Sequence, residues 1–180
     1  MEPVYLDHAA TTTLRPEVRE ALLPFLGGRW GNPSSTHRWG REARAALEDA
    51  RARLAAVLGA SPAEIHFSRG GTESDNLAVL GRARALPGAP VVCSAVEHKA
   101  VLQSARAAER EGSPRRTLPV DGDGVVREEA LPELLAARPA VVSVMWANNE
   151  TGALQPVERV AERCREAGVT FHTDAVQAFG

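Results

Sequence analysis

Length, composition and charge place the chain among ordinary globular proteins. Of its 180 residues, 44% are hydrophobic. This share is enough to form a buried core and is higher than is typical of a disordered chain. The net charge of −2, from 21 basic and 23 acidic residues, indicates no nucleic-acid or anionic-membrane partner. We find no signal peptide and no apolar stretch that could span a bilayer, so we expect a cytoplasmic protein.

The residues that commonly bind metals show no pattern of a metal site. Cys93 and Cys164 lie far apart in the sequence and have no CxxC spacing, which predicts buried, unreactive thiols. The five histidines have no ligand-like spacing with cysteines or carboxylates. We therefore expect no metal. Lys99 is the single lysine of the sequence.

The first third of the chain is predicted to form an arm followed by two helices. Residues 1–14 have the pattern of an extended N-terminal arm, and residues 15–180 that of one domain. Pro16 suits the first position of a helix. After the arm, the predicted elements are a helix at Pro16–Leu26, a loop at Gly27–Thr36 and a helix at about His37–Leu58 that ends at Gly59.

From residue 65 onward, apolar strands alternate with helices. The predicted strands are Ile65–Ser68, Val91–Ser94, Arg115–Val120, Val141–Trp146 and Val169–Asp174. The predicted helices are Glu73–Arg84, Ala100–Glu111, Glu128–Ala137 with a break near Pro132, and Val157–Ala167. This alternation predicts an α/β fold, a mainly parallel sheet with helices on both faces. Because crossovers have one hand, the loops that follow the strands should share the carboxyl edge of the sheet.

The first loop at this edge is rich in glycine and has two interpretations. Gly70 and Gly71 would let backbone amides approach an anion at the N-terminus of the following helix, and Thr72 adds a hydroxyl. The loop matches neither a Walker A motif nor GxGxxG, which weakens a nucleotide interpretation. The alternative is a plain helix start with Thr72 as N-cap.

Polar residues follow three other strands. His98 is either a surface or packed residue, or a ring that stacks on an aromatic cofactor and moves protons. Asn148 and Asn149 either shape a turn or donate to a phenolate or carboxylate. Asp174, with Gln177 three residues later, ends a strand, where a carboxylate could be a metal ligand, a general base or the partner of a protonated ring nitrogen.

Taken together, these groups predict a pyridoxal phosphate pocket. The glycine-rich helix start would bind the phosphate, His98 would stack on the ring, and the amides would hydrogen-bond the phenolic oxygen. Asp174 beside the pyridine nitrogen would keep that nitrogen protonated, which makes the ring an electron sink for charge at the substrate Cα.

Six stretches of the sequence resemble the cysteine desulfurases, which belong to the class V aminotransferase-like pyridoxal phosphate enzymes. They occur in the family's order and cover essentially the whole chain. The stretches are Tyr5–Thr12, Gly31–Ser35, Gly70–Asn76, Glu97–His98, Met145–Gly152 and His172–Gln177. The resemblance implies the large domain of a fold-type I pyridoxal phosphate enzyme.

The resemblance also implies a role for each matching residue. Asn149 is expected to lie near the substrate carboxylate as well as the cofactor. The implied roles are phosphate binding for Gly71 and Thr72, ring stacking and acid–base catalysis for His98, contact with the phenolic oxygen for Asn149 and Gln177, and pairing with the pyridine nitrogen for Asp174.

The implied reaction converts L-cysteine to L-alanine and leaves the sulfur as a persulfide on an enzyme cysteine. The sulfur would then serve iron–sulfur cluster or thio-cofactor assembly. Relatives in this family are homodimers, so we expect a homodimer with an iron–sulfur scaffold or another sulfur acceptor as partner.

The sequence departs from the family pattern in three ways. His8 stands where asparagine is common. Lys99 corresponds to a position beside the stacking histidine rather than to the lysine that binds the cofactor covalently, and neither cysteine matches the catalytic loop. We therefore interpret the chain as the N-terminal portion of a desulfurase, whose C-terminal half is absent and which is inactive alone.

Other functions remain open from the sequence. Selenocysteine lyase or another class V activity fits the same motifs. A non-catalytic half-enzyme that acts as an interaction protein fits the missing lysine, and a simple phosphate or nucleotide binder would need only Gly70–Thr72. Since an incomplete sheet exposes an edge and apolar surface, we expect the isolated chain to aggregate or to pair with another copy.

Overall fold

The computed structural model describes residues 3–179, which separate into two compact units, one up to Phe67 and the other from Ser68. Residues 3–15 contain a turn at residues 8–10 and no helix or strand. The division into an arm at 1–14 and a domain at 15–180 stays a prediction. None of the described helices is long and apolar enough to cross a membrane.

The first unit contains the two predicted helices, α1 at Pro16–Leu26 and α2 at Arg38–Leu58. Local signals fix the ends of α2. The His37 ring accepts a hydrogen bond from the Gly40 amide at the N-terminus. Gly59 ends the helix in the left-handed conformation, with φ of 64°.

A prediction that proved wrong is the strand at Ile65–Ser68, which forms neither helix nor strand. A single 3₁₀ turn at Pro62–Glu64 precedes it. The Ile65 amide donates back to the Pro62 carbonyl, and its own carbonyl accepts from the Arg51 guanidinium. Local partners therefore take the backbone groups of Ile65 that a sheet ladder would have used.

The second unit alternates helices with the strands of one sheet. Its helices are α3 at Gly71–Ala85, α4 at Lys99–Arg110, α5 at Leu131–Ala136 and α6 at Val157–Glu166. Its strands are β1 at Val91–Ser94, β2 at Arg115–Leu118, β3 at Val141–Ser143 and β4 at Phe171–His172. A 3₁₀ turn at Glu128–Ala130 precedes α5, which confirms the predicted break near Pro132.

All four strands are parallel, in the order β2-β1-β3-β4, so the predicted parallel α/β fold is confirmed. β2, β3 and β4 are shorter than predicted. Ladder hydrogen bonds nevertheless continue past β4. The Trp146 amide, for example, donates to the Asp174 carbonyl at 2.9 Å. Asp174 therefore lies at the carboxyl end of the sheet, as predicted.

Helices cover both faces of this sheet. Neighbouring residues of a strand point to opposite faces, so each face packs against its own pair of helices. Val92 and Val142 pack with α5 and α6, whereas Val91 and Val141 pack with α3 and α4. Each of the two cores contains one cysteine, Cys164 in the first and Cys93 in the second. The predicted burial of both thiols is confirmed.

The strand order places a crevice between β1 and β3. From β1 the chain moves outward to β2 on one side, then returns past β1 to β3 and on to β4. In an open parallel sheet, the loops on either side of such a reversal separate at the carboxyl ends of the two central strands. The loops after β1 and β3 are therefore the expected walls of a binding site.

Candidate functional site

The Glu97 carboxylate ties the loops after β1 and β3 together. Its Oε1 accepts hydrogen bonds from the Ser94 hydroxyl at 2.6 Å and from the Met145 amide at 2.7 Å. The residue is only 6% exposed. Burial raises the pKa of Glu97 to about 7, while these hydrogen bonds act in the opposite direction. Glu97 thus fixes both walls of the crevice.

His98 follows directly and caps α4. Its Nδ1 accepts a hydrogen bond from the Ala100 amide at 3.2 Å, and its side chain is exposed. Because Nδ1 is an acceptor in this arrangement, the proton of a neutral His98 ring sits on Nε2. The cap therefore fixes which ring nitrogen can exchange a proton at the crevice.

Three ionisable side chains converge at this point. Ligand-type atoms of Asp75, His98 and Asp174 all lie within 4.8 Å of one another. Burial, and then the nearby Asp174 carboxylate, raise the pKa of Asp75 to about 6, while His98 acts to lower it. The structure therefore brings together two of the predicted residues, His98 and Asp174, with a third group that sequence analysis did not select.

These three groups also have the chemistry of a cation site. Carboxylate oxygens with an imidazole nitrogen can bind several divalent metals. No second observation among residues 3–179 points to a metal, so we assign none.

The N-terminus of α3 is open. Gly70, whose φ of 146° favours glycine, precedes the helix, and no side chain caps it. Thr72 is the second residue of the helix, so the alternative that made Thr72 the N-cap is wrong. An uncapped helix start with a nearby hydroxyl is suited to an anion.

This helix start lies beside the loop that carries Asp174. A Cβ added at Gly71 would lie 3.1 Å from Val176 Cγ2, so glycine permits the close approach. The Val176 amide donates to Asp174 Oδ1 at 3.0 Å and orients the carboxylate. An anion site and a carboxylate therefore share one crevice.

The two consecutive amides after β3 have different roles. Asn148 shapes the turn, because its Oδ1 accepts from the amides of Glu150 and Thr151, each at 2.9 Å. The Asn149 side chain is half-buried and makes no hydrogen bond with residues 3–179. Of the two open interpretations, turn formation applies to Asn148, and Asn149 has an amide available for a ligand.

The roles assigned to single residues in the sequence stay predictions. Gln177 is exposed in the turn at residues 176–178 that follows Asp174. The structure places the predicted residues at a helix start and on three loops that follow strands. Gly71 and Thr72 begin α3, His98 follows β1, Asn149 follows β3, and Asp174 and Gln177 follow β4.

Asp75, Glu97 and His172 are not among the site residues predicted from the sequence. Two signals were present in the sequence. Asp75 is four residues after Gly71, which places both on one face of α3. His172 and Asp174 are two residues apart on a strand, which places both on one face of the sheet.

Comparisons with known proteins relate the chain to one family along nearly its whole length. The family model for aminotransferase class-V matches residues 4–180. The cysteine desulfurase IscS of Dictyoglomus turgidum is 46% identical over 98% of this chain and 45% of its own length. The chain therefore spans about half the length of the curated relatives it matches.

Solved structures give the same result. A NifS-like protein aligns with a TM-score of 0.89 and 38% identity over 97% of this chain and 49% of its own. SspA in complex with cysteine aligns with a TM-score of 0.89 and 35% identity over 97% of this chain and 51% of its own. With its parallel sheet, its matching residues and its relatives in agreement, the chain belongs to the aminotransferase class-V family.

Proposed function

We propose that the chain forms the cofactor-binding part of a pyridoxal phosphate-dependent cysteine desulfurase. The observation that carries this proposal is the convergence of Asp75, His98 and Asp174 beside the open N-terminus of α3. An anion site next to a carboxylate pair matches a ligand with a phosphate at one end and a protonated ring nitrogen at the other.

The residues present fit this cofactor. The amides at the start of α3 and the Thr72 hydroxyl would bind the phosphate, and Asp174 would pair with the ring nitrogen. The unbonded amide of Asn149 would donate to the phenolic oxygen. When bound, pyridoxal phosphate supplies an electron sink for negative charge at the substrate Cα.

His98 is the residue of this site best placed to move a proton. Its Nδ1 accepts from the Ala100 amide, so Nε2 is the position that can release or accept the proton. The exposed ring can approach a planar ligand, and the carboxylates of Asp75 and Asp174 lie close to it. We propose that His98 stacks on the cofactor ring and carries protons to and from the substrate.

The thiol that accepts sulfur is, in our proposal, neither cysteine of this sequence. Cys93 and Cys164 are buried in the two cores of the sheet. Burial raises the pKa of each thiol to about 11, so the nucleophilic thiolate is scarce at neutral pH. We therefore propose that the residues of this sequence form the part of the site that binds the cofactor.

The remaining features of the proposal concern the substrate, the partners and the location. We propose L-cysteine as substrate, because SspA was solved in complex with cysteine. A homodimer, a sulfur acceptor or iron–sulfur scaffold as partner, and a cytoplasmic location complete the proposal.

Binding of pyridoxal 5′-phosphate tests it. In a Lys99→Arg background, which removes covalent addition to the lysine side chain, we expect saturable binding in equilibrium dialysis. Asp174→Asn should weaken binding about tenfold, the effect of losing one charge-assisted hydrogen bond. The Asn side chain still accepts from the Val176 amide, so the loop should keep its shape.

Asp123→Asn is the matched control, because Asp123 is exposed and is not one of the carboxylates that converge with His98. It should bind like the parent. No saturable binding by the parent, or equal binding by the parent and Asp174→Asn, would contradict the proposal.

A further inference from the structure

A line of polar groups, all buried except the half-buried His172, runs beneath the site. Ser143 and His172 are register partners on β3 and β4, and the Ser143 hydroxyl lies 2.9 Å from His172 Nδ1. On its other side, Ser143 Oγ lies 3.4 Å from Glu97 Oε2. His172 Nε2 lies 3.6 Å from Asp75 Oδ1. The line therefore connects Glu97 to Asp75 through a hydroxyl and an imidazole.

The Ser143 hydroxyl has a single proton, and the group that receives it determines which nitrogen of His172 is protonated. If Ser143 donates to Glu97, then His172 must donate from Nδ1, and the Nε2 lone pair would face a carboxylate oxygen. If Ser143 donates to Nδ1, which is the shorter contact, Nε2 carries the proton and faces Asp75 with a favourable charge interaction. The geometry favours the second arrangement.

Asp75 itself lacks a strong partner. The residue is 3% exposed, and its carboxylate accepts no hydrogen bond from residues 3–179. At 3.6 Å, the contact with His172 is longer than a hydrogen bond. A nearly enclosed carboxylate with no close donor among these residues is suited to a ligand that supplies positive charge.

We propose that Asp75 is a second carboxylate facing the cofactor ring nitrogen alongside Asp174, and that His172, held by the Ser143 hydroxyl, is its positioning residue. This inference rests on the proposed function for the identity of the ligand. The ligand class it selects is a phosphorylated ring that carries a protonated nitrogen. The His172 tautomer is a separate part of the inference and needs no ligand.

The arrangement has a consequence for selectivity. Two carboxylates near one ring nitrogen attract a protonated ring more strongly than one does, and they repel each other when the site is empty. Loss of Asp75, or of the contact with His172 that positions it, should therefore weaken the preference for a ligand with a ring nitrogen over one without it. It should have little effect on the affinity for the phosphate.

Two matched ligands measure this discrimination in the full chain. Pyridoxine 5′-phosphate has the ring nitrogen and no aldehyde, so it cannot add to lysine. Its carbocyclic analogue has C–H in place of the nitrogen. We expect the parent to prefer the nitrogen-containing ligand, and Asp75→Asn to reduce the ratio of the two Kd values about tenfold.

Two substitutions at position 172 separate positioning from packing. His172→Gln keeps an N–H group that can face Asp75 and should keep most of the preference. His172→Asn reaches Ser143 but not Asp75, and it should lose the preference as Asp75→Asn does. A purely structural role would change both Kd values by the same factor and leave their ratio intact, which would overturn the inference.

Nitrogen-15 NMR of histidine in the ligand-free chain supplies an independent measurement. We expect His172 to be a neutral ring with its proton on Nε2, and Ser143→Ala to give a mixture of tautomers. A proton on Nδ1 in the parent would overturn the positioning role even if the variants fail to fold. If the parent binds neither ligand, the proposed function and the role of Asp75 fail together. If it prefers the nitrogen and Asp75→Asn keeps that preference, only the inference fails.

Discussion

The interactions that stabilise the first unit differ from those that stabilise the second. In the second unit, strands and helices pack into two apolar cores, one on each face of the sheet. In the described part of the first unit, Ala55 and Ile65 are the buried apolar residues, and α1 buries none. Local signals such as the cap at His37 define the helices of the first unit, whereas burial stabilises the second.

This difference shows how much an amphipathic pattern predicts. The apolar residues of α1 have helical spacing, and the helix forms with the predicted bounds, Pro16–Leu26. Nevertheless, Leu26 is 79% exposed. Periodicity therefore predicts the helix but not the surface that it buries.

The difference in burial between the two units should have its largest effect on stability when a leucine of each unit is truncated to alanine. Leu118→Ala removes a side chain that is 0% exposed in the core of the second unit. We expect it to lower the free energy of unfolding by about 2–5 kcal/mol, because lost burial and a cavity act together. Urea denaturation followed by the fluorescence of Trp146, with Trp30 and Trp39 replaced by phenylalanine, would measure this in the second unit.

Leu26→Ala is the matched control in the first unit. Since this leucine is mostly exposed, its truncation should change stability by less than about 0.5 kcal/mol. Equal effects of the two substitutions would show that the two units do not differ in burial as described.

Buried charge is the second contrast. Among the described residues, Asp75 and Glu97 are the buried acids, and both lie in the second unit. The pKa of Glu97 rises from 4.5 to about 7 on folding, so the folded state holds its proton more tightly. The stabilisation is complete below pH 4.5 and is lost as the pH rises through about 7.

Glu97→Gln should remove this part of the pH dependence. The amide keeps an acceptor for Ser94 and Met145 and cannot ionise. We expect the parent and the variant to be similar near pH 4.5, and the variant to be more stable by about 3 kcal/mol above pH 8. Chemical denaturation across this pH range is the measurement.

Glu133→Gln changes an exposed acid of α5 and should leave the pH profile as it is in the parent. A parent whose stability does not fall between pH 5 and pH 8 relative to Glu97→Gln would contradict the assignment of a proton to buried Glu97.

Sequence alone predicted the elements that have local signals, and it placed His98 and Asp174 at one edge of the sheet. The bounds of α1 and β1 match because proline, glycine and an apolar run mark them. Asp174 and His98 were placed together because parallel strands end at one edge. The strand at Ile65–Ser68 was wrong because a strand needs a partner, and no local pattern reveals whether one is present.

The buried polar groups of the site were harder to predict. Glu97 and Asp75 are buried and His172 is half-buried, and their enclosure depends on contacts between distant segments, such as Glu97 with Met145. Their positions in the sequence resemble those of ordinary surface residues. Tertiary packing alone shows that they are enclosed and aligned.

Glycine substitutions provide the smallest test of the contrast between the units. In the first unit, a Cβ at Gly40 would overlap the Ser35 carbonyl, because the Gly31–Ser35 loop packs directly on the start of α2. We expect Gly40→Ala to destabilise the chain by about 1–3 kcal/mol. In the second unit, a Cβ at Gly81 would have Leu77 Cδ1 as its nearest neighbour, at 4.0 Å.

Gly81→Ala should therefore stabilise the chain by about 0.5–1 kcal/mol, because alanine favours a helix interior and α3 has room for it. The two substitutions add the same methyl group to a helix, so opposite signs can come only from the surroundings. Thermal unfolding of both variants beside the parent would measure this. If Gly40→Ala is as stable as the parent, the first unit has no tight local packing, and its helices then depend on caps and propensity alone.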